Sequence, residues 1–303
     1  MEIKTVGVVG LGALGLMYGE HIQNVIGKDC ICFAMDSARY ERHKNDKYTV
    51  NGKPVDFSLI DCSRVKPVDL LIVAVKYNSL GSALDVMKNL IGENTIIISV
   101  MNGISSEEII GERYPDAAIV PCVAIGMDAM RSGSDLHYVN KGLLQIGITD
   151  EKMRPALNAI DAFLTKIDLP HTVEDDIMHA MWKKFMINVG INQSCMIYDS
   201  PYGGIMNSPD KRASLERAMR EVISLSEAEG TNVTEEDLAA SLDLFNNLDK
   251  DSYPSMHQDF QAKRRSEVEL FAGTVRKLAA KHGIPVPEND FYYKRIQEIE
   301  SAY

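Results

Sequence analysis

The sequence predicts an α/β protein in which an N-terminal Rossmann-like doubly wound sheet is followed by an all-helical C-terminal domain. Short β-branched runs alternate with helical patterns in the first half, a glycine-rich turn spans 10–15, and strand patterns stop after residue 173. Alternating strands and helices are typical of a parallel sheet covered on both faces. We therefore predict a sheet-bearing dinucleotide-binding domain over residues 1–173 and an all-helical domain over residues 174–303.

Composition narrows the class of protein. With 303 residues, the chain is long enough for two cores, and 45% hydrophobic and 25% charged residues are ordinary for a globular protein. The formal net charge of −11, without a marked cluster of lysine and arginine, argues against nucleic acid as a partner. No run reaches the roughly 20 apolar residues of a membrane span, so we expect no membrane partner.

Cysteine usage and the N-terminal segment indicate a cytoplasmic protein. The five cysteines follow neither metal-ligand nor disulfide spacing, so we expect reduced thiols and no metal site. The apolar run over 5–17 lacks the basic start and the small-residue cleavage site of a signal peptide. Its glycines have a different explanation.

The run Gly10-Leu11-Gly12-Ala13-Leu14-Gly15 lies between a predicted strand over 3–9 and a helical pattern that reaches about Ile26. Such glycines permit a tight turn, close approach of a pyrophosphate and tight packing of helix on sheet. A second strand pattern ends at Asp36, about 20 positions further on, where Rossmann proteins place the acidic residue that holds a ribose. The alternative is a glycine turn without a ligand, but order and spacing favour a dinucleotide site.

The identity of the nucleotide stays open at this point. Asp36 favours NAD, because a carboxylate holds the ribose 2′-hydroxyl and repels a 2′-phosphate. Arg39 and Arg42 follow closely and could instead hold that phosphate.

Two further strand patterns, over 69–75 and 95–100, end at polar residues. Lys76 follows the first, and Asn102 follows the second. Ligands of open α/β sheets bind at the carboxyl ends of the strands, the edge that also carries the glycine turn. A lysine or asparagine after a strand is often only a turn residue. The shared edge nevertheless predicts that Lys76 and Asn102 contact cofactor or substrate.

The remaining patterns complete the two domains. The pair Asn51-Gly52 predicts a hairpin within 48–57. Strands are predicted over 117–126, over 136–148 with a turn at 140–142, and over 171–173, and a helix over 151–166. Helices are then predicted over 176–198, 209–229, 235–248 and 254–282, with a final helical segment after Pro287.

Two stretches of the helical half carry reactive or polar groups. As a helix, residues 182–192 would place Lys184, Asn188 and Asn192 along one stripe at steps of four. This stripe is either a solvated face or the lining of a wet cleft. In the second stretch, Ser255 lies near the free N–H groups of a helix start, and Glu267 flanks an apolar face. An exposed ion pair of Glu267 with Lys263 is the alternative. The two residues lie too far apart on a straight helix to serve one small site.

Together these residues resemble the ketopantoate reductase (2-dehydropantoate 2-reductase) family over nearly the whole chain. The resemblance rests on the glycine motif, Lys76, Asn102-Gly103, the block Trp182-x-Lys184-x-x-x-Asn188-x-x-x-Asn192, the block Ser255-Met256-x-Gln258-Asp259, Glu267, and the run from His282 to Asn289.

The resemblance implies that this chain is an NAD(P)H-dependent enzyme that reduces a 2-keto acid, ketopantoate to pantoate, in pantothenate biosynthesis. It also implies an active site between the two domains, with the helical domain supplying substrate-binding and catalytic residues. Lys184 matches the general acid and Glu267 a catalytic carboxylate. Asn188, Asn192 and Ser255 match substrate-binding positions, and Lys76 and Asn102 match the junction of cofactor and substrate. The implied cofactor is NADP, with NAD possible because Asp36 replaces a common phosphate-binding arginine. Ser252 replaces a common substrate-contacting asparagine, which leaves the exact keto acid open.

Two other functions remain. A related 2- or 3-hydroxy acid dehydrogenase acting on a different substrate would share the Lys-x-x-x-Asn pair on a helix. A non-catalytic dinucleotide-binding regulatory protein would keep the fold, but loss of Lys184 or Glu267 would be its signature, and both are present. A homodimer through the helical domain is a further expectation.

Overall fold

The structure, a computed structural model, describes residues 2–303; residue 1 of the predicted first domain lies outside them. The chain forms two compact units. The first runs to Asn102 and continues over Ser106–Ile177, and the second comprises Gly103–Ser105 and Met178–Tyr303. Within residues 2–303, no helix is both long and apolar enough to cross a membrane.

The strands all lie in the first unit. They are Val6–Val9 (β1), Ile31–Met35 (β2), Tyr48–Val50 (β3), Lys53–Val55 (β4), Leu59–Asp61 (β5), Leu70–Val73 (β6), Ile96–Ser99 (β7), Ala118–Ile119 (β8), Cys122–Met127 (β9), Met130–Ser132 (β10), Asp135–His137 (β11), Lys141–Ile146 (β12) and His171–Val173 (β13). Six of them form a parallel sheet in the order β5-β2-β1-β6-β7-β8. This is the Rossmann order, in which the chain reverses direction across the sheet between β1 and β6.

Helices cover both faces of this sheet. Those of the first unit are Ala13–Ile26 (α1), Ser37–His43 (α2), Leu80–Met87 (α3), Ser106–Arg113 (α4) and Arg154–Lys166 (α5). Every residue of β6 is buried, and its side chains alternate between two apolar cores. Leu70 and Ile72 join the core that contains residues of α1 and α5, whereas Leu71 and Val73 join residues of α3. Burial on both faces explains the uninterrupted apolar runs of the sequence.

Two small sheets extend the first unit, in the orders β10-β11-β3-β4 and β13-β12-β9. The predicted hairpin at Asn51-Gly52 is present between β3 and β4, with φ of 49° and 77° at its two turn residues. The predicted strand over 117–126 is wrong as one element: it splits into β8 and β9 around Pro121, which has no N–H for a ladder. The predicted strand over 136–148 is also two strands, β11 and β12, which lie in different sheets.

The second unit is helical. Its helices are Ile177–Ile187 (α6), which begins at the last residue of the first unit, Gln193–Ile197 (α7), Tyr202–Met206 (α8), Pro209–Ala228 (α9), Glu235–Asn247 (α10), Ser255–Gln261 (α11), Thr274–His282 (α12) and Pro287–Glu300 (α13). Together with the parallel sheet, this unit confirms the predicted fold class. Two π-helical turns, Asn188–Asn192 and Glu269–Gly273, join α6 to α7 and precede α12.

Local signals set several helix ends in the second unit. Thr234 and Asp237 form a reciprocal capping box at the start of α10, a device that contributes about 1 kcal/mol. Gly283 ends α12 with a φ of 67°, a left-handed conformation that glycine adopts without strain. Pro287 begins α13, where its missing N–H costs no hydrogen bond.

Candidate functional site

The glycine turn is packed too tightly for side chains at two positions. A Cβ at Gly10 would lie 2.3 Å from the Ala74 carbonyl oxygen, and one at Gly15 would lie 2.2 Å from the Gly10 carbonyl oxygen. A Cβ at Gly12 would meet only the Ala74 oxygen, at 3.4 Å, so space remains on the rest of this residue. The turn therefore combines two glycines that the fold requires with one that leaves its backbone accessible.

Lys76 and Asn102 lie at the same edge of the sheet as this turn. The strands β1, β6 and β7 are parallel neighbours, and Gly10, Lys76 and Asn102 follow their carboxyl ends. Backbone hydrogen bonds continue beyond the strands, from Ala74 N to Val9 O at 2.8 Å and from Val100 N to Val73 O at 3.0 Å. The structure thus brings together the residues predicted at this edge, at the reversal point where open α/β sheets bind ligands.

Asp36 caps the N-terminus of α2 at the end of β2. Its Oδ1 accepts the Arg39 N–H at 2.8 Å, and its Oδ2 lies 3.4 Å from Arg39 Nε. Asp61 ends the neighbouring strand β5 opposite Met35 and is buried. The Ser37 hydroxyl and the Ser63 N–H hold the pKa of Asp61 below its ordinary value. Two carboxylates therefore lie at the ends of adjacent strands.

This edge fits a dinucleotide. The cradle at Gly12, the free N–H groups of the first turn of α1 and the half-exposed Asp36 are the features that receive a pyrophosphate and a ribose in this fold. The predicted cofactor residues Leu11, Ala13 and Leu14 complete the turn. These assignments remain predictions of role.

In the second unit, the π-helical turn changes the predicted stripe of polar residues. Lys184 is half-buried in the last turn of α6, whereas Asn188 and Asn192 begin and end the π-helical turn. The two asparagines remain neighbours, because Asn192 Nδ2 donates to Asn188 Oδ1 at 3.1 Å. A regular α-helix over 176–198 was therefore the wrong expectation, and π-helical turns are frequent at functional sites.

Asn192 also holds the start of α11. Its Oδ1 accepts the Met256 N–H at 3.2 Å and the Ser255 hydroxyl at 3.4 Å. Ser255 is thereby joined to Asn188 through one amide side chain. The structure thus brings together the three residues predicted to bind substrate in this unit.

Asn188 carries an amide donor with no partner among the described residues. Its Nδ2 is buried, and the side chain is engaged only through Oδ1. A buried polar group without a hydrogen bond costs about 1 to 3 kcal/mol, so such a group requires a specific explanation. A bound ligand with an acceptor oxygen would satisfy this donor.

Glu267 does not lie on the helix of Ser255, contrary to the predicted single helix over 254–282. Helix α11 ends at Gln261, and Lys263 has a left-handed φ of 50°. Lys263 and Glu267 therefore do not lie one turn apart on a regular helix. Because the segment between α11 and Glu267 is irregular, the distance between Ser255 and Glu267 is not set by the length of a straight helix.

A buried carboxylate fixes this segment beside Glu267. Glu300 Oε1 accepts the Ser266 N–H at 2.7 Å and the Ser266 hydroxyl at 2.5 Å, and Ser266 Oγ accepts the Val268 N–H at 3.3 Å. Glu267 itself is half-buried, and its carbonyl oxygen accepts the N–H groups of Leu270 and Phe271. Glu300 could not be identified from local sequence patterns, because its bonds to Ser266 span 34 positions.

Lys183 and Lys184 are adjacent but differ in their surroundings. Lys183 Nζ lies 3.0 Å from Asp237 Oδ1, and His179 Nε2 lies 2.9 Å from Asp237 Oδ2. Burial opposes ionisation of Asp237, but hydrogen bonds from His179, Thr234 and Lys183 outweigh it and lower its pKa to about 2. Lys183 therefore has a structural ion pair, which makes it a matched control for Lys184.

Ser252 occupies a turn at the position where the family resemblance implies an asparagine. Its hydroxyl donates to Asp249 Oδ2 at 2.7 Å, and its carbonyl oxygen accepts the Tyr202 N–H at 3.1 Å. The hydroxyl is thus engaged within the turn. This arrangement gives Ser252 a structural role.

The fold and the edge of its parallel sheet define a Rossmann-type protein, and comparisons with known proteins specify a family of oxidoreductases. The family described as "Ketopantoate reductase PanE/ApbA" matches this chain over residues 6–151. The family described as "Ketopantoate reductase PanE/ApbA C terminal" matches it over residues 176–300. The chain belongs to this family. This confirms the resemblance identified in the sequence.

Individual relatives are distant but align over their whole length. A 2-dehydropantoate 2-reductase of Streptococcus pyogenes is 24% identical over 300 residues, which cover 97% of this chain and 96% of the relative. A D-mandelate dehydrogenase solved with NADH and anilino(oxo)acetate has a TM-score of 0.88 at 20% identity, with 98% and 99% of the two chains covered. A dimeric ketopantoate reductase from Staphylococcus aureus has a TM-score of 0.81 at 21% identity, with the same coverage.

Proposed function

We propose that this chain catalyses the nicotinamide-dependent reduction of ketopantoate (2-dehydropantoate) to pantoate. The observation that carries the proposal is the buried, unpartnered Nδ2 of Asn188, bonded through Asn192 to Ser255. The Asn188 amide can donate to a carboxylate oxygen, and the Ser255 oxygen, whose proton goes to Asn192, can accept from a hydroxyl. Ketopantoate carries a carboxylate on one side of its reacting carbonyl and a hydroxyl further along the chain on the other side. Family membership supplies the reaction type.

Each group has a defined role in the proposed mechanism. A bound nicotinamide dinucleotide supplies the hydride. Lys184 donates a proton to the carbonyl oxygen as negative charge develops there, so that one hydride on carbon and one proton on oxygen convert the ketone into an alcohol. Asn188 and Ser255 hold the substrate, and Glu267 orients it or the Lys184 ammonium. The oxygen gains negative charge only during the reaction, so the proton donor acts mainly on the transition state.

The cofactor edge supports NADH as the preferred reductant, the reverse of the NADP that the family resemblance implied. Asp36 lies at the end of β2, where Rossmann proteins place the acidic residue that contacts the ribose, and Asp61 adds a second carboxylate at the neighbouring strand end. Burial, Asp61 and Asp36, in that order, raise the pKa of the Cys62 thiol, so both charges act in this region. Arg39 is already paired with Asp36, and a 2′-phosphate would add a further charge of roughly −1.5 to −2.

Cofactor oxidation with ketopantoate, measured in parallel with NADH and NADPH, tests the proposal. We expect turnover with ketopantoate, with kcat/KM for NADH about tenfold or more above that for NADPH, a difference of about 1.4 kcal/mol. Absence of turnover with both cofactors would exclude the reaction. A preference for NADPH would contradict only the cofactor assignment.

A second candidate is reduction of a 2-keto acid with a different side chain. It is favoured by Ser252, whose hydroxyl is bonded to Asp249 where the family resemblance implies a substrate-contacting asparagine. Phenylglyoxylate, the keto acid that corresponds to mandelate, belongs in the same assay. A kcat/KM for phenylglyoxylate above that for ketopantoate would favour this candidate. We also propose a homodimer, which light scattering coupled to size exclusion tests.

A further inference from the structure

Arg131 reaches the glycine turn from a hairpin that lies outside the parallel sheet. It lies on β10, an edge strand, directly opposite Leu136 of β11. Residues opposite each other in an antiparallel pair point to the same face, and Leu136 is fully buried in the core that also contains residues of α1. The Arg131 side chain is thus directed towards the protein.

Three contacts orient the guanidinium. Nη1 donates to the Leu11 carbonyl oxygen inside the glycine turn, and Nε donates to the Gly133 carbonyl oxygen at 2.7 Å. The Arg131 Cζ lies 5.9 Å from the centre of the Tyr48 ring, within the range of a cation–π interaction. Burial, assisted by Asp46 and opposed by Arg131, raises the pKa of Tyr48 to about 12, so the ring stays neutral.

The hairpin that carries Arg131 is itself anchored. Leu136 pairs with Val50 of β3, and Tyr138 N donates to Asn51 Oδ1 at 2.9 Å. The Tyr138 hydroxyl donates to Glu20 on α1, also at 2.9 Å. The segment that carries Arg131 is therefore tied both to β3 and to the helix that follows the glycine turn.

We propose that Arg131 is a further cofactor-binding residue, which fixes the Leu11 carbonyl and presents a positive charge to the pyrophosphate. The inference rests on the proposed dinucleotide site. Two of the five guanidinium N–H donors are used by Leu11 and Gly133, so donors remain for a phosphate oxygen. In a chain with a net charge of −11, a local cation at this turn favours the approach and binding of a dianionic pyrophosphate.

Equilibrium binding of NADH to the full chain, followed by nucleotide fluorescence, tests this role without turnover. We expect Arg131→Ala to raise Kd by about tenfold or more. Arg131→Lys should retain part of the affinity, because an ammonium keeps the positive charge but lacks the planar, bidentate donors of a guanidinium. Arg154→Ala is the matched control. Arg154, the first residue of α5, is bonded to Glu151 just before the helix, so this variant should leave Kd unchanged. Thermal unfolding of each variant reports on folding.

Competition experiments separate the loss of a charge that binds the pyrophosphate from a general disruption of the glycine turn. ADP-ribose carries the pyrophosphate and adenosine does not, so Arg131→Ala should weaken only ADP-ribose. Equal weakening of both competitors, or a Kd for NADH within twofold of the parent value, would overturn the proposal. If the parent chain binds neither NADH nor NADPH, the proposed function fails as well, whereas normal parent binding with an unaffected Arg131→Ala variant overturns only this inference.

Discussion

Alanine substitutions at two glycines of the turn should separate the needs of the fold from those of the cofactor. At Gly15 the added Cβ would lie 2.2 Å from the Gly10 carbonyl oxygen and 3.2 Å from Ala74 Cβ. The close oxygen belongs to the backbone and cannot rotate away, so the turn or α1 must move. Overpacking of this kind costs about 1 to 3 kcal/mol or more, which lowers the melting temperature by about 2 to 12 °C.

Gly12→Ala should behave differently. Its Cβ would meet only the Ala74 oxygen, at 3.4 Å, and its φ of −73° suits alanine. We therefore expect unfolding within about 1 kcal/mol of the parent, but a Kd for NADH raised by about tenfold or more, because the methyl group occupies the space that the pyrophosphate approaches.

Gly81→Ala is the control for both. A Cβ at Gly81 meets nothing within 4 Å, and the residue lies in α3, where replacing glycine by alanine stabilises by about 0.5 to 1 kcal/mol. Differential scanning fluorimetry and nucleotide titration of the three variants give both quantities. An unchanged Kd in Gly12→Ala would refute the assignment of this turn to the cofactor, and an unchanged melting temperature in Gly15→Ala would refute the packing argument.

Three further predictions concern the second unit. Asp237→Asn should lower the free energy of unfolding by about 2 to 3 kcal/mol at neutral pH, because folding lowers the Asp237 pKa to about 2. In urea titrations, this difference in stability between parent and variant should vanish as pH falls from about 4 to 2. Ser266→Ala should lower kcat/KM by about tenfold with a smaller change in cofactor Kd, since it releases the segment that carries Glu267 from Glu300, and equal kcat/KM would contradict this. Asn188→Ala should raise KM for ketopantoate by about tenfold or more, while thermal unfolding reports separately on the lost bond to Asn192; an unchanged KM would remove this residue from the substrate site.

The fold class was predictable because its signals are local. Apolar runs such as β6 and β7 indicate strands that are buried on both faces. The spacing of Gly10, Gly12 and Gly15 indicates a turn in which close backbone contacts leave no room for side chains at Gly10 and Gly15. The hairpin at Asn51-Gly52 followed from turn chemistry in the same way. In each case the residues that determine the structure are neighbours in sequence.

The errors arose where distant residues decide the structure. The break between α11 and α12 depends on Lys263 in a left-handed conformation and on Ser266 bonded to Glu300, and neither interrupts the local helical pattern. The π-helical turns insert a residue without a compositional signal. The strand β10 is short and polar, so Arg131 was not identified as a site residue from sequence. The sequence indicated candidate residues within each unit, but it did not indicate the groups that position them.

The central claim is that Lys184 protonates the carbonyl oxygen of a 2-keto acid while a dinucleotide held at the glycine turn supplies the hydride. Single-turnover oxidation of NADH with ketopantoate, compared between Lys184→Ala and Lys183→Ala, tests it most directly. We predict that Lys184→Ala lowers the hydride-transfer rate by about 10² to 10⁴-fold with nucleotide Kd unchanged, whereas Lys183→Ala keeps the rate and loses only stability with its Asp237 ion pair. An undiminished rate in Lys184→Ala would contradict the account.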